Sequence, residues 1–346
     1  MFPEDFVAGH LDRSEPGDWV FDPFSGRGTT VFESLRHYRK AAGCDVNPVA
    51  VCLSNAKANA PAEEDVIQRI AELSALDLQR GPEHEDEFFT ACFYERTLSQ
   101  LLVLRERLRW RTDSVDCFIA AMVLGCLHGE SHRSKRYFSN RMPRTISTKP
   151  AYSVRWWTER GLCPPPRDIF SILTNETSFR FASPAPVFKG VVKHCDARDA
   201  SAEFPNLEGK IGLIVTSPPY LDVTDFEEDQ WLRLWFLGGS MRPQRRGDTD
   251  HRHRDEGKYW RFLTESWAGC SKLLSESATF VVRIGGRLEP LIALEGLKGS
   301  LANGLNRSVE LVESSVSEIV RGQLRVHAPK AKGTGREFDF VFRVEA

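Results

Sequence analysis

No apolar run in this chain approaches the ~20 residues that span a bilayer, so nothing in it reads as a transmembrane helix. The eight cysteines include no Cys-x-x-Cys pair, and a chain of 346 residues can bury enough core to dispense with disulfide staples. They read as reduced, mostly structural thiols of a soluble cytoplasmic protein. The start, Met1-Phe2-Pro3-Glu4-Asp5, carries early acids and lacks the basic-then-apolar pattern of a secretion signal. Charge is nearly balanced, 46 Lys+Arg against 48 Asp+Glu, so no global field draws the chain to nucleic acid and any such contact must come from local patches. Internal repeats and low-complexity tracts are also absent, which excludes solenoids and long flexible linkers.

Two short segments stand out against this background. Asp22-Pro23-Phe24-Ser25-Gly26-Arg27-Gly28-Thr29-Thr30 follows a predicted buried strand, Trp19 to Phe21, and Thr216-Ser217-Pro218-Pro219-Tyr220 follows another, Ile211 to Val215. Both therefore place their polar groups at the carboxyl end of a strand, where open α/β sheets bind ligands. Gly26 and Gly28 let the backbone pass close to a ligand, and the helix expected next offers free N–H groups. Asp45 closes a second predicted strand about 20 residues further on, the spacing at which an acid reaches a ribose diol. Thr29-Thr30-Val31 follows Gly28 with no third glycine, which disfavours a pyrophosphate-bearing dinucleotide. The plainer readings are that Asp45 and Asp196 are ordinary strand-end acids and that Ser-Pro-Pro-Tyr is a stiff turn.

The remaining pattern gives the organisation. Residues 4–11 fit one short helix. A helix capped by Thr29 or Thr30 runs to about Arg39, a strand covers Ala41 to Cys44, and Asn47-Pro48 opens a helix to about Asn59. Pro61 begins an interruption. Its first half is helical by period (Leu101, Leu104, Leu108; Ile119, Met122, Val123), and its second half is irregular, basic and aromatic. Strands resume at Val191–His194, ending at Cys195-Asp196, and at Ile211. A helix spans about Phe226 to Leu237 and stops at Gly238-Gly239, another spans Tyr259 to Leu274, and strands cover Thr279 to Ile284 and Phe338 to Phe342, the last with one buried and one wetter face. The expected domains are 1–60 with 189–346, and an insert at 61–188.

The two polar segments resemble the cofactor loop and the catalytic loop of S-adenosylmethionine-dependent DNA amino-methyltransferases, which modify the exocyclic nitrogen of cytosine or adenine. The resemblance implies an α/β fold, a Rossmann-like class I methyltransferase sheet with an inserted helical or irregular domain. It also implies roles. Asp22 and the loop around Ser25, Gly26 and Gly28 hold the methionine end of the cofactor, Asp45 takes the ribose hydroxyls, Asp196 takes the adenine amino group, and Phe24, Thr29 and Thr216 complete the cofactor-binding residues. The segment from Phe2 to Asp18 closes over the cofactor. Ser217, Pro218, Pro219 and Tyr220 form the catalytic loop. No metal is implied.

The chemistry fits those residue types. An amino group conjugated to a base ring is a poor nucleophile. A hydroxyl (Ser217) and a backbone carbonyl (Pro218) on a rigid loop can accept both amino protons and aim the nitrogen lone pair. Tyr220 offers a stacking ring for a base extruded from duplex DNA. Methylation at cytosine carbon 5 needs a thiolate, usually following proline in that family, and no cysteine here follows proline. Serine before Pro-Pro-Tyr leans towards cytosine N4. The alternatives are an adenine-N6 enzyme, an RNA guanine-N2 enzyme, or a non-catalytic subunit that recognises DNA. Double-stranded DNA is the expected partner, with a cognate restriction nuclease or second subunit possible, in a bacterial or phage-encoded restriction-modification or related defence setting. The cofactor loop precedes the catalytic loop, a permuted order that leaves the location of target recognition open.

Between His132 and Arg160, Arg133, Lys135, Arg136, Arg141, Arg144, Lys149, Arg155 and Arg160 face a single acid, Glu159, and are interleaved with Tyr137, Phe138, Tyr152, Trp156 and Trp157. Bases for phosphates with rings for stacking is a nucleic-acid composition; the plainer reading is a basic loop over a buried Trp pair. Arg245 and Arg246 lie in a second basic loop diluted by Asp248 and Asp250. Cys126, His128 and His132 lack a fourth partner for zinc.

Overall fold

The computed structural model describes residues 2–15, 17–77, 86–142, 149–221, 229–243, 255–285, 288–318 and 336–346. These divide into two compact units, one of Met1–Ala58, Pro186–Thr224 and Arg246–Ala346, the other of Asn59–Ala185 and Asp225–Arg245.

The first unit is an α/β sheet. Its strands are β1 (Trp19–Asp22), β2 (Lys40–Asp45), β3 (Val191–His194), β4 (Ile211–Thr216), β5 (Leu274–Gly285), β6 (Ser308–Glu318) and β7 (Arg336–Glu345), in the order β3-β2-β1-β4-β5-β7-β6. The first five pair in parallel, while β7 runs antiparallel to both β5 and β6. This is the Rossmann-like sheet of class I methyltransferases, as the resemblance implies. Strand order reverses at β1, so the ends of β1 and β4 flank a topological switch point.

Two apolar layers cover the sheet. On one face Tyr259, Leu263 and Trp267 of the helix Glu256–Cys270 pack with Phe280, Phe340 and Phe342. On the other, helix α1 (Glu4–Ala8) and the tight turn Leu11–Arg13 lay Phe2, Val7 and Leu11 against Val20, Leu213, Val281 and Val341. The second layer corrects the expectation for β7 in part. On the face expected to be wetter Arg343 is exposed, but Val341, covered by the amino-terminal segment, is 2% exposed and Asp339 6%.

Local chemistry sets the element ends. Helix α2 (Thr29–Arg36) is capped by Gly28 in the left-handed region (φ 75°) and not by Thr29 or Thr30. A Cβ at Gly28 would lie 2.7–2.9 Å from Ser54, so only glycine allows this close pass over helix α3 (Pro48–Ala58). Asn47 caps α3 as expected, its Oδ1 accepting from Val49 N at 3.0 Å. The helix Pro290–Leu305 and strand β6 add to the predicted elements: Leu294, Leu297, Leu301 and Leu305 recur at helical spacing in the first, while the apolar residues of β6 are sparse among Ser and Glu.

The second unit is helical: α4 (Glu63–Asp77), α5 (Glu87–Cys92), α6 (Glu95–Arg107), α7 (Ser114–Cys126), α8 (Pro150–Thr158) and α9 (Ile169–Phe181). Helices α8 and α9 lie where the sequence predicts irregular structure. The helix around Trp231 is expected with the sheet, but its described part, Trp231–Phe236, packs here. Trp231 meets Phe88 at 4.9 Å, Trp235 meets Phe89 at 4.4 Å, and Arg105 Nε donates to Trp235 O. Residues 226–228 of that expected helix lie outside the described residues. No helix among the described residues is long and apolar enough to cross a membrane.

Candidate active site

The carboxyl ends of β1 and β4 are tied together. Thr216 Oγ1 donates to Asp22 Oδ1 at 2.6 Å, and Thr30 Oγ1 donates to Val215 O at 2.9 Å. These bonds bring the two sequence segments to one cavity of about 270 Å³, lined by Phe2, Asp22, Phe24, Ser25, Gly26, Arg27, Thr29, Ser217, Pro218 and Tyr220. Thr216 is fully buried and its hydroxyl serves this tie.

The cofactor loop is held from beneath by Asp45. Its Oδ2 accepts from Gly26 N and its Oδ1 from Asn47 N, both at 2.9 Å. Burial pushes the Asp45 carboxyl above the ordinary carboxylate range, and those backbone donors pull it back. Val46 N is a third backbone donor to this carboxylate, which has about four lone-pair sites, so acceptor capacity remains for a further donor. Asp196 sits at the end of β3, where its carboxylate accepts from Arg198 N, Nε and Nη2 at 3.0, 3.0 and 2.8 Å. Neither Asp45 nor Asp196 lines the cavity described above.

Two buried polar groups mark that cavity. Ser25 Oγ is buried with no hydrogen-bond partner among the described residues. Asp22 is 2% exposed; it accepts from Thr216 and Phe24 N but pairs with no cation among the described residues. Burial pushes its carboxyl from the ordinary 3.8 to about 6, against the hydrogen bonds from Thr216 and Phe24, which lower it. A buried anion and an orphan hydroxyl in one cavity fit a ligand that is cationic and carries polar donors, which describes the methionine end of S-adenosylmethionine.

The sign of the Asp22 effect is testable. Because its folded pKa is raised, the native state holds the proton more tightly than the unfolded chain. Its contribution is therefore most favourable below pH 3.8 and is lost as pH rises through about 6. The rise corresponds to about 3 kcal/mol. Asp22→Asn should remove that fall, so the stability difference between variant and wild type should grow in favour of the variant from pH 4 to pH 7 in urea unfolding. A constant difference would show that Asp22 carries no such penalty.

In the catalytic loop, Ser217 Oγ donates to Tyr220 Oη at 3.4 Å, and Tyr220 Oη donates to Glu337 Oε1 at 2.9 Å. With its hydrogen directed at Tyr220, the lone pairs of Ser217 Oγ are left to accept. Burial, and then the nearby Glu337 charge, push the Tyr220 phenol well above its ordinary range, so it stays a neutral donor. Sequence reasoning missed Glu337. An acid alternating with phenylalanines in Glu337-Phe338-Asp339-Phe340 was the available signal.

The proposed nucleic-acid residues all belong to the second unit or lie outside the described residues. Arg133 and Lys135 are exposed. Arg136 is half-buried and paired with Glu176 at 3.3 Å, and Arg141 Nε donates to Glu130 at 3.3 Å. Trp157 is buried and donates to Arg141 O; Trp156, beside it, has the guanidinium groups of Arg160 and Arg141 over its ring at 4.7 and 5.9 Å. Arg144, Arg245 and Arg246 lie outside the described residues. Of the residues considered for zinc, Cys126 Sγ faces Arg136 Nη2 at 3.9 Å and His132 pairs with Glu130.

A family model for DNA methylase, of the N6/N4 methyltransferase kind, matches residues 2–56, the stretch from α1 through the cofactor loop to α3. Among solved structures, the chain is similar to the rRNA methyltransferase aviRa from Streptomyces viridochromogenes, at 14% identity over 99% of this chain and 85% of that one, TM-score 0.34. It is also similar to the 16S rRNA (adenine(1408)-N(1))-methyltransferase from Catenulisporales acidiphilia, at 10% identity over 100% and 94%, TM-score 0.34. A third is TrmN from Thermus thermophilus, at 13% identity over 99% of this chain and 48% of that one, TM-score 0.32. No substrate is carried over from them. No curated protein matches the sequence. The matched stretch holds the cofactor loop, and it sits within the sheet of order β3-β2-β1-β4-β5-β7-β6.

Proposed function

We propose that the chain is a DNA methyltransferase that transfers a methyl group from S-adenosylmethionine to the exocyclic amino group of an extruded base, cytosine N4 in preference to adenine N6. The observation that carries the reading is the meeting of Ser217, Pro218 and Tyr220 with Asp22 and Ser25 around one cavity. The family match to residues 2–56 supports DNA as the substrate class.

In this reading Asp22 and Ser25 bind the methionine end, and Asp45, while bracing Gly26, offers its remaining lone pairs to the ribose. The cofactor supplies an electrophilic methyl carbon on a sulfonium. Ser217 Oγ and Pro218 O accept hydrogen bonds from the two amino N–H groups, which draws the nitrogen towards tetrahedral geometry and points its lone pair at that carbon; the N–C bond forms as the S–C bond breaks, and one amino proton is then released to solvent. Tyr220 stacks on the base. Asp196, held by Arg198, is the proposed contact for the cofactor's adenine. A cognate nuclease or second subunit is the proposed protein partner.

Labelled methyl transfer by the purified chain tests the substrate. Incorporation into duplex DNA and none into tRNA is the expected result; the reverse would make it an RNA enzyme. The exposed bases of the second unit are the proposed phosphate contacts. Reversing Arg133 and Lys135 to glutamate should weaken DNA binding and make the slope of log affinity against log salt shallower by about 1.8. An unchanged slope would remove this segment from the interface.

A further inference from the structure

Tyr220 is gripped by a surface that belongs to neither sequence motif. In the antiparallel pairing of β5 with β7, Gly285 stands opposite Glu337 and Arg283 opposite Asp339. Residues two apart on a strand share a face, so these four positions form one patch at the end of the sheet. Tyr220 occupies it: its Oη donates to Glu337 Oε1, and a Cβ added at Gly285 would sit 2.6 Å from the ring.

Arg283 completes the patch. Its Nε and Nη2 donate to the two oxygens of Asp339 at 2.6 and 2.8 Å, and its Nη1 lies 3.4 Å from Glu337 Oε2. The side chains of Arg283, Glu337 and Asp339 are only 8%, 13% and 8% exposed. Phe280-Val281-Val282 precedes the arginine and Ile284 follows it, all buried. Three charges removed from water in such a strand carry a desolvation penalty that packed aliphatic side chains would avoid. Their arrangement directs one oxygen of Glu337 to the Tyr220 hydroxyl and the other to Arg283.

We propose that Glu337, oriented by Arg283, is a positioning residue for Tyr220: Gly285 sets where the ring can lie, and Glu337 sets its direction by accepting the phenolic proton. Ser217, which donates to the same Oη, is thereby aimed along with the ring. The proposal rests on the reading of Tyr220 as the stacking partner of the extruded base.

Two readouts test it separately from that reading. In single-turnover methyl transfer to duplex DNA, Glu337→Ala should slow the step by about 10- to 100-fold, since small misplacements of reacting groups have effects of that size. Cofactor affinity should hold. Glu337→Gln, whose amide oxygen still accepts the phenolic proton, should recover most of the loss. In a Tyr220→Phe background, Glu337→Ala should cause no further loss; an equal loss in both backgrounds would overturn the proposal. The second readout needs no substrate. With fluorotyrosine at position 220 of the full chain, the fluorine resonance should move in Glu337→Ala and return in Glu337→Gln. A resonance unmoved by Glu337→Ala would overturn the slot whatever the substrate is. A moved resonance with no methyl transfer to DNA by wild type would keep the slot and overturn only the substrate reading.

Discussion

Ser217→Ala is expected to slow methyl transfer by about 100- to 1,000-fold, the range seen when one preorganised hydrogen-bonding group aimed at a reacting centre is removed. Ser217 Oγ is the only side-chain acceptor that the Ser-Pro-Pro-Tyr loop can direct at the amino group. Its own hydrogen is directed at Tyr220 Oη. The substitution leaves the Tyr220–Glu337 bond and the Thr216–Asp22 tie intact, so the loop should stay in place. Cofactor affinity by calorimetry should therefore stay within about twofold of wild type, and the loss should fall on the single-turnover rate. A Ser217→Ala variant with wild-type rate would remove the hydroxyl from the mechanism.

Asp45→Ala should give the opposite pattern. Without the carboxylate, Gly26 N and Asn47 N lose their acceptors, and the turn that carries Ser25 loses its brace. Hydrogen bonds to a charged group contribute about 1.5–3 kcal/mol each, so loss of the ribose contact alone should weaken cofactor binding by about 10- to 150-fold. At saturating cofactor the rate should largely return, because nothing at Asp45 reaches the amino group. Asp45→Asn, which keeps an acceptor oxygen, should fall between. Equal losses of rate and affinity in both Ser217→Ala and Asp45→Ala would undo the division of the site into a binding half and a chemical half.

The site was legible where chemistry and backbone demands coincide in a short stretch. Gly26 and Gly28 read as a close-approach loop because glycine there has a conformational reason, and Gly28 does lie in the left-handed region against Ser54. The spacing of Asp45 predicts a ribose contact; what the structure shows is its carboxylate accepting from Gly26 N and Asn47 N, which spacing does not encode. Thr216 was read as a cofactor contact; its partner turned out to be Asp22, 194 residues away, which no local pattern encodes. Glu337 was hidden for the same reason. Its importance comes from the β5–β7 register and from Arg283, a lone arginine in an apolar strand. The face of β7 expected to be wetter exposes Arg343 but buries Val341, because alternation says which side chains share a face but not what covers it, and here Phe2, Val7 and Leu11 do. In the second unit, α8 and α9 were obscured by flanking prolines and by aromatic and basic residues with no clean period. Arg136, read there as a phosphate contact, is half-buried beside Glu176.

The most direct test is single-base methylation sequencing of genomic DNA from a methylation-free host expressing this chain, beside the same host expressing Ser217→Ala. The account predicts a modified sequence motif carrying N4-methylcytosine in the first and none in the second. N6-methyladenine at a motif would keep the mechanism and change the base. Unmodified DNA in both samples, with the chain expressed and folded, would contradict the reading of this protein as a DNA methyltransferase acting alone.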